Sequence, residues 1–304
     1  MYSGKYSFPN GIKPSYIRLL DDAGNKVLPV LLQMMPGNLI WCFLFMLPVK
    51  AQEQSLHRAM IPVIDGSYSN KHMLLTAGLS NPSSLIKVKT LAASVEMEST
   101  YLLKEARLFA AMIVQPFGRS VTGMTVAHNG SPDFTLTTFR LFLTRDIGIV
   151  QVGGEFLFHY SSITGYPSSS KVDAAISFRT ELSPVFNAGF RLQNISGFFG
   201  KNENGYAPVI QAGAGYDISD AVLLGAEWLQ EPGHEAVVTT GLLYRFHPLF
   251  LFMAGINWSP CQPYGGFQLN HHHWKLILKT SFHPVLGWSP SVGVSFGSVK
   301  NDQE

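Results

Sequence analysis

Residues 150–161 read VQVGGEFLFHYS, and residues 171–181 read KVDAAISFRTE. Apolar and polar residues alternate in both stretches. In the second, Val172, Ile176 and Phe178 occupy even positions, whereas the odd positions are mostly charged or polar. Because successive side chains of a β-strand point to opposite faces, this period of two predicts strands with one apolar and one polar face.

The same alternation extends from these stretches towards both ends of the chain, between Lys87 and Ser298. We predict fourteen strands, with twelve as the alternative. Their predicted residues are 87–99, 106–115, 119–127, 133–144, 148–161, 171–181, 185–195, 207–216, 221–229, 234–246, 249–258, 264–269, 274–282 and 287–298.

The gaps between these segments alternate between short and long. Short gaps hold Phe117-Gly118, Asp146-Ile147 and Leu182-Ser183-Pro184, whereas the odd-numbered gaps include 162–170 and 196–206. A transmembrane β-barrel has this rhythm, because its periplasmic rim carries tight turns and its outer rim carries longer loops. The fold class predicted is therefore all-β: a transmembrane antiparallel β-barrel of about 14 strands, with both termini in the periplasm.

The composition agrees with a barrel in lipid. Hydrophobic residues make up 46% of the chain and charged residues only 14%, against roughly 25% charged residues in soluble domains. Between Gln52 and Glu304 no uncharged apolar run approaches the roughly 18 residues of a membrane helix. Aromatic residues close many predicted strands, as a girdle at the membrane interface would: Tyr160, Tyr216, Trp228, Tyr244, Trp258 and Trp288. A soluble all-β protein with a large core is the alternative.

The N-terminal region has the features of an export signal. Leu39–Pro48 (LIWCFLFMLP) is apolar and has the length of a signal-peptide core, and Ala51 supplies the small residue before a cleavage site. We predict cleavage after Ala51, with residues 1–51 comprising a mis-called translation start and the signal peptide. The sequence thus predicts export to the bacterial outer membrane, where lipid surrounds the protein.

Residues 52–86 do not alternate, and we interpret them as an N-terminal hatch, or plug, folded into or against the barrel lumen. A barrel of this size would otherwise enclose a wide polar space. The predicted organisation is completed by a barrel at 87–298 and a C-terminal tail at 299–304. Without residues 1–51 the chain has a net charge of −1, which gives no support for a nucleic-acid partner.

Charged residues of both signs fall on the predicted inner face, and they are the candidates for lining or gating the lumen: Glu155, Asp173, Arg179, Glu181, Arg191, Glu227 and Arg245. They could form a solute path or a gate held by ion pairs to the hatch. Alternatively, they pair with one another and fill the barrel. His271-His272-His273 is interpreted as a solvated turn rather than a metal site, and His159 with Ser161 as a chance pair. We predict no enzyme activity, cofactor or metal.

Short motifs resemble known outer-membrane barrels. Asn81-Pro82-Ser83-Ser84-Leu85 resembles the Asn-Pro-Ala segment of fatty-acid-transporter-like barrels, which makes Asn81 and Pro82 hatch candidates. Three later motifs resemble the closing strands of PorV/PorQ-like proteins, which are associated with type IX secretion in Gram-negative bacteria: Gly255-Ile256-Asn257-Trp258, Tyr264-Gly265-Gly266-Phe267 and Phe282-His283-Pro284-x-Leu286-Gly287. The resemblance implies a fourteen-stranded barrel with an N-terminal hatch.

Two functions follow as hypotheses. The first is transport of a hydrophobic or amphipathic small molecule across the outer membrane, with a lateral opening at a strand interrupted by Gly153-Gly154 or Gly265-Gly266. The second is a non-transporting scaffold or shuttle for type IX secreted proteins, which predicts a sealed lumen and a secreted or periplasmic protein as partner.

Overall fold

The computed structural model describes residues 62–131, 133–199, 207–259 and 261–297. Fourteen strands form one closed antiparallel barrel, in which each strand pairs with its neighbours in sequence and the last pairs with the first. The predicted fold class is therefore confirmed, with fourteen strands rather than twelve. The strands are β1 (Ala92–Ser99), β2 (Arg107–Phe117), β3 (Ser120–Gly130), β4 (Phe134–Asp146), β5 (Val150–Ile163), β6 (Ser169–Ser183), β7 (Phe186–Gln193), β8 (Val209–Asp217), β9 (Val222–Gln230), β10 (Val237–His247), β11 (Phe250–Trp258), β12 (Cys261–His271), β13 (Trp274–His283) and β14 (Gly287–Phe296).

Helices in the described ranges are single turns. They are α1 (Ala77–Ser80), α2 (Ser196–Phe199) and 3-10 turns at Pro82–Lys87, Thr100–Leu102 and Lys104–Ala106. None of them is long and apolar enough to cross a membrane.

The alternation sorts side chains between the two faces of the wall. On β4, Phe139, Leu141 and Leu143 point outward and are exposed, whereas Arg140 and Thr144 point inward and are buried. The barrel thus has an apolar outer surface and a largely polar inner one, the arrangement found in barrels surrounded by lipid.

Gap lengths alternate less regularly than predicted. One rim, which we call the short-turn rim, carries the even-numbered gaps, such as 118–119 and 248–249. The opposite rim was predicted to carry the longer loops, but three of its gaps are as short as those of the short-turn rim: 131–133, 259–260 and 284–286.

Strand β12 is longer than its predicted range of 264–269. Pro263, just before the predicted range, lies within the strand, opposite Ile256 of β11. β13 pairs with β12 only from Tyr264 onward. Because Pro263 has a ladder partner on one side only, its missing N–H is tolerated there.

The predicted strand interruptions at glycine pairs are wrong. Gly153 and Gly154 lie within β5 and pair with both β4 and β6. Gly265 and Gly266 pair with both β11 and β13. Pairing holds these backbones in register even though glycine weakens strands.

Strand β1 begins at Ala92 rather than at residue 87, because residues 82–87 form a 3-10 turn and Val88 is buried in an apolar cluster. The predicted signal peptide and cleavage site, residues 52–61 of the predicted hatch and the predicted tail all lie outside the described residues.

Residues 62–91, which we call the inner segment, lie against the inner face of the wall. Two apolar clusters fix them there. In the first, Leu85 and Val88 pack with Met112, Val114 and Phe142 of β2 and β4. The second joins the inner segment to strands β9, β10, β11 and β13, and consists of Ile64, Leu74, Leu223, Leu243, Leu251, Met253 and Ile277.

Barrel closure brings a buried ion pair across the last strand. Lys279 of β13 forms an ion pair with Glu96 of β1, and the Ser291 hydroxyl of β14 donates to Glu96 Oε1 at 2.7 Å. Gly293, on β14, is opposite Glu96 and has no side chain to obstruct this contact. Three strands are thereby linked at the point where the barrel closes.

Candidate functional site

Glycines form a shallow trough in the inner wall. They face one another across neighbouring strands from β7 to β11, where each lies opposite the next in register: Gly189 with Gly213, Gly215 with Gly225, Gly225 with Gly241, and Gly241 with Gly255. Glycine within a strand commonly marks a close approach of another chain segment. We call this surface the glycine trough.

The inner segment fills the glycine trough. A Cβ atom at Gly213 would lie 2.1 Å from the Tyr68 ring, and one at Gly225 would lie 2.6 Å from Ile64 Cγ2. At Gly215 the added atom would lie 2.0 Å from the carbonyl oxygen of Tyr68. Larger residues at these positions therefore conflict with the segment.

Tyr264 of β12 occupies the far end of the trough. Its hydroxyl accepts a hydrogen bond from the Ile64 backbone N–H at 3.0 Å. A Cβ atom at Gly241 or Gly255 would lie 2.2 or 2.3 Å from that hydroxyl. The wall and the inner segment are thus complementary in shape from Tyr68 to Tyr264.

Two arginines that share Glu155 as counterion donate directly to the carbonyls at the end of helix α1. Glu155 accepts two hydrogen bonds from Arg191, both at 2.7 Å, and lies 3.4 Å from Arg140 Nε. Both arginines donate to the Leu79 carbonyl, at 3.0 and 3.2 Å, and Arg191 also donates to the Ser80 carbonyl at 3.1 Å. Guanidinium groups suit this position, because the last carbonyls of a helix lack partners within it.

Arg179 binds the turn of the inner segment at Ser69 and Asn70. Its Nη2 atom donates to the Ser69 carbonyl at 3.2 Å, to Asn70 Oδ1 at 2.6 Å and to Asn187 Oδ1 at 2.8 Å. Glu181 lies 3.6 Å from the same guanidinium. Lys87 reinforces the turn through a hydrogen bond to Asn70 Oδ1.

Further contacts hold this turn at the short-turn rim. Asp217 accepts from Ser69 Oγ at 2.5 Å and from the Asn70 N–H at 2.9 Å. Arg245 donates to the Lys71 carbonyl at 3.1 Å. Lys71 pairs with Asp220 at 2.6 Å, an interaction that raises the pKa of Lys71 and lowers that of Asp220.

Asp65 organises the middle of the inner segment. One carboxylate oxygen accepts from the Ser67 N–H and hydroxyl at 3.0 and 2.6 Å, and the other accepts from the Ser80 hydroxyl at 2.8 Å. Close by, Glu227 accepts from Gln211 at 3.1 Å. A cavity beside Glu227 has room for about one water molecule.

Asn81 and Pro82 connect α1 to the following 3-10 turn. The Asn81 side chain accepts from the Ser83 N–H at 3.1 Å and donates to the Phe178 carbonyl at 3.3 Å. Thr144 donates to the Pro82 carbonyl at 3.0 Å. The two hatch candidates therefore bond to β6 and β4.

The seven predicted lumen residues all lie on strands at inward positions. Arg179, Arg191 and Arg245 bond directly to the backbone of the inner segment, and Glu155 and Glu181 face these arginines. The other two do not join this group. Asp173 accepts from the Ser196 hydroxyl at 2.5 Å, and Glu227 bonds to Gln211.

Several residues that hold the inner segment were not among the predicted candidates, including Arg140, Thr144 and Asp217 of the wall and Lys87 within the segment itself. Arg140 had a signal, because it is a single arginine between outward Phe139 and Leu141 in an alternating strand. Lys87 and Asp217 had none, because each lies at the end of an element where the alternation stops.

Neither motif considered for chemistry forms a site. The His159 ring is 3.0 Å from the hydroxyl of Thr138, on the neighbouring strand. His271 and His272 stack edge to face in a turn. Among the described residues, no group of three or more His, Cys, Asp or Glu side chains is placed to hold a metal ion.

His72 makes the turn at the short-turn rim sensitive to pH. Its Nε2 atom lies 3.4 Å from the Ser219 carbonyl. Burial lowers the pKa of His72 below its usual value of 6.5, and the nearby cations Arg245 and Lys71 lower it further, against opposing contributions from the hydrogen bond to the Ser219 carbonyl and from Asp217. Because the folded form disfavours the protonated ring, its contribution to stability is complete above the unfolded pKa and is lost as pH falls below it.

Acidification from about pH 8 to about pH 5 is therefore expected to loosen residues 69–72. Hydrogen exchange followed by mass spectrometry should show faster exchange of this turn at the lower pH. His72→Gln, which stays neutral, should remove the difference. The Lys71–Asp220 pair does not account for it, because the pKa of Asp220 lies below 3.8. Equal pH dependence in the wild type and His72→Gln would contradict the prediction.

Comparison with known proteins gives a likeness of fold. No family model and no curated protein sequence matches the chain. The solved structure of the CymD monoaromatic hydrocarbon channel is similar with a TM-score of 0.60, at 10% identity, over 79% of this chain and 98% of that one. The KdgM porin and a mutant of the Rh. blastica porin give TM-scores of 0.41 and 0.43, each at 10% identity over 68% of this chain and 98% of theirs. The chain therefore has a barrel fold similar to that of an outer-membrane channel.

Proposed function

We propose that this chain is an outer-membrane channel that carries a hydrophobic or amphipathic small molecule, and that the inner segment closes it. The observation that carries the proposal is the surface on which that segment lies, a glycine trough flanked by arginines that donate hydrogen bonds to its backbone carbonyls. Each such hydrogen bond, because its donor is charged, contributes about 1.5–3 kcal/mol net, since water replaces it when the segment leaves. Opening also separates the segment from the two apolar clusters, while the fourteen strands keep their own backbone pairing.

Two further features support this substrate class. The inner face of β2 is apolar at Leu108, Ala110, Met112 and Val114, all of which are buried. The protein with the similar fold, CymD, is described as a channel for monoaromatic hydrocarbons.

Location and family form part of the same proposal. The barrel lies in the bacterial outer membrane after export through a cleaved signal peptide, and its relatives are the PorV/PorQ-like barrels. The resemblance of the closing-strand motifs supports that relation. The competing function is a scaffold or shuttle for type IX secreted proteins, which the close fit between the inner segment and the trough favours.

Arg179→Met provides the test. The change removes the hydrogen bonds of Arg179 to Ser69 and Asn70, so the closed state should lose at least about 1.5 kcal/mol, which corresponds to an open population at least roughly tenfold higher. Proteoliposomes loaded with the amphipathic dye carboxyfluorescein, which crosses lipid only slowly, should then release it correspondingly faster than with the wild type. Arg119→Met, at an exposed turn position, is the matched control. Release equal to that of protein-free liposomes in all three samples would favour the scaffold.

A further inference from the structure

The inner wall carries a second polar surface, at the strands where the barrel closes. It extends over β12, β13, β14 and β1. Its side chains include Glu96, Gln268, Lys275, Lys279, Ser291 and Ser295. Gln268 is opposite Ile277, which is opposite Gly293, which is opposite Glu96. We call this surface the polar wall.

Three buried atoms of the polar wall have no hydrogen-bond partner: Glu96 Oε2, Gln268 Oε1 and Ser295 Oγ. The three residues are only 2%, 5% and 3% exposed. A buried polar atom without a partner is unfavourable. All three atoms can accept a hydrogen bond, and two of them can only accept. They therefore fit a ligand that supplies donors.

The charges of the polar wall favour an uncharged ligand. Glu96 Oε1 already interacts with Lys279 and Ser291. A charged ligand would compete with this buried pair and would lose its own hydration, which the site repays only with excellent geometry. A hydroxyl group both donates and accepts. It can donate to Glu96 or Gln268 and accept from Ser295 without disturbing the ion pair.

An apolar surface adjoins the polar wall on the next strand. Ala110 of β2 is opposite Glu96, and Leu108 is opposite Glu98. Both Ala110 and Leu108 are buried on the inner face. The lining thus changes from polar to apolar between neighbouring strands, and a ligand that spans the boundary needs both characters.

We infer that this boundary binds an amphipathic solute whose polar end is an uncharged, hydroxyl-rich group such as a sugar ring. The inference rests on the proposed transport function and names the chemistry of its substrate. The apolar end lies along β2, and the hydroxyl groups hydrogen-bond to Glu96, Gln268 and Ser295.

Binding of phenyl β-glucoside and phenyl phosphate, a matched pair of neutral and anionic probes, tests the inference. Titration calorimetry would use the full chain carrying Gly215→Ala, so that the inner segment does not block access. The glucoside should bind more tightly than the phosphate. Adding Gln268→Leu or Ser295→Ala should weaken glucoside binding about five- to tenfold, whereas Val294→Ala, at an exposed outward position of β14, should not.

Tighter binding of the phosphate, or equal glucoside binding by all three added variants, would overturn the inference. So would the absence of glucoside binding in a Gly215→Ala protein that conducts ions, and transport would then stand without this substrate class. A Gly215→Ala protein that neither conducts nor binds the glucoside would overturn both proposals.

Discussion

Gly215→Ala is expected to convert a closed barrel into a conducting one. The new methyl group would lie 2.0 Å from the Tyr68 carbonyl oxygen, a backbone atom that cannot rotate away. Tyr68 also fills the space beside Gly189 and Gly213, so the segment cannot shift along the trough without further conflict. Overpacking of this kind costs about 1–3 kcal/mol. We therefore expect the population with the inner segment out of the trough to rise about 5- to 150-fold.

Single-channel recordings in planar bilayers measure this directly. The wild type should show rare, brief openings, and Gly215→Ala should raise the fraction of time spent open about 5- to 150-fold. Gly154→Ala is the matched control, because Gly154 faces outward on β5 and an added Cβ there has no atom within 4 Å. Identical traces from the two variants would mean that the trough does not control the lumen.

Glu155→Gln is expected to produce the largest loss of stability among single changes at the site. Arg140 and Arg191 are both buried and face the Glu155 carboxylate. Without its charge the two guanidinium groups repel each other with no counterion, and breaking a buried ion pair costs about 3–5 kcal/mol. Their hydrogen bonds to the Leu79 and Ser80 carbonyls should weaken as well.

Urea unfolding in lipid vesicles, followed by tryptophan fluorescence, gives the free energy of unfolding. Glu105→Gln, an exposed position next to β2, is the control and should change it little. A double-mutant cycle that combines Glu155→Gln with Arg191→Met should show a coupling energy of about 1–3 kcal/mol in the free energy of unfolding. Additive effects would mean that Glu155 and Arg191 act separately.

The strands could be predicted because alternation is a local property. The sequences of β5 and β6 each show which residues point inward and which point outward. Glu155, Asp173 and Arg179 could therefore be placed on the inner side without knowledge of the neighbouring strands. The ends of strands were less certain, as at Pro263, because whether a missing N–H matters depends on the neighbouring strand.

The partners of those charges could not be predicted, because they depend on the stagger between strands. Arg191 reaches Glu155 from two strands away, across Ala175 and Ser177 of β6, both of which are small. The glycine trough was missed for the same reason. Glycines in separate strands become a surface only when the register places them side by side, and in the sequence each glycine suggests only a weak strand.

The inner segment also constrains the order of assembly. It immediately precedes β1, and β1 is the strand that must meet β14 to close the barrel. Pairing such as Ala93 with Phe296 joins nearly opposite ends of the described chain, the kind of long-range contact that forms slowly. Before closure the sheet has two free edges, at β1 and β14, and we expect the glycine trough on β7–β11 to be complete by then. The segment can dock there first, so that the last step of folding encloses a plug that is already in place.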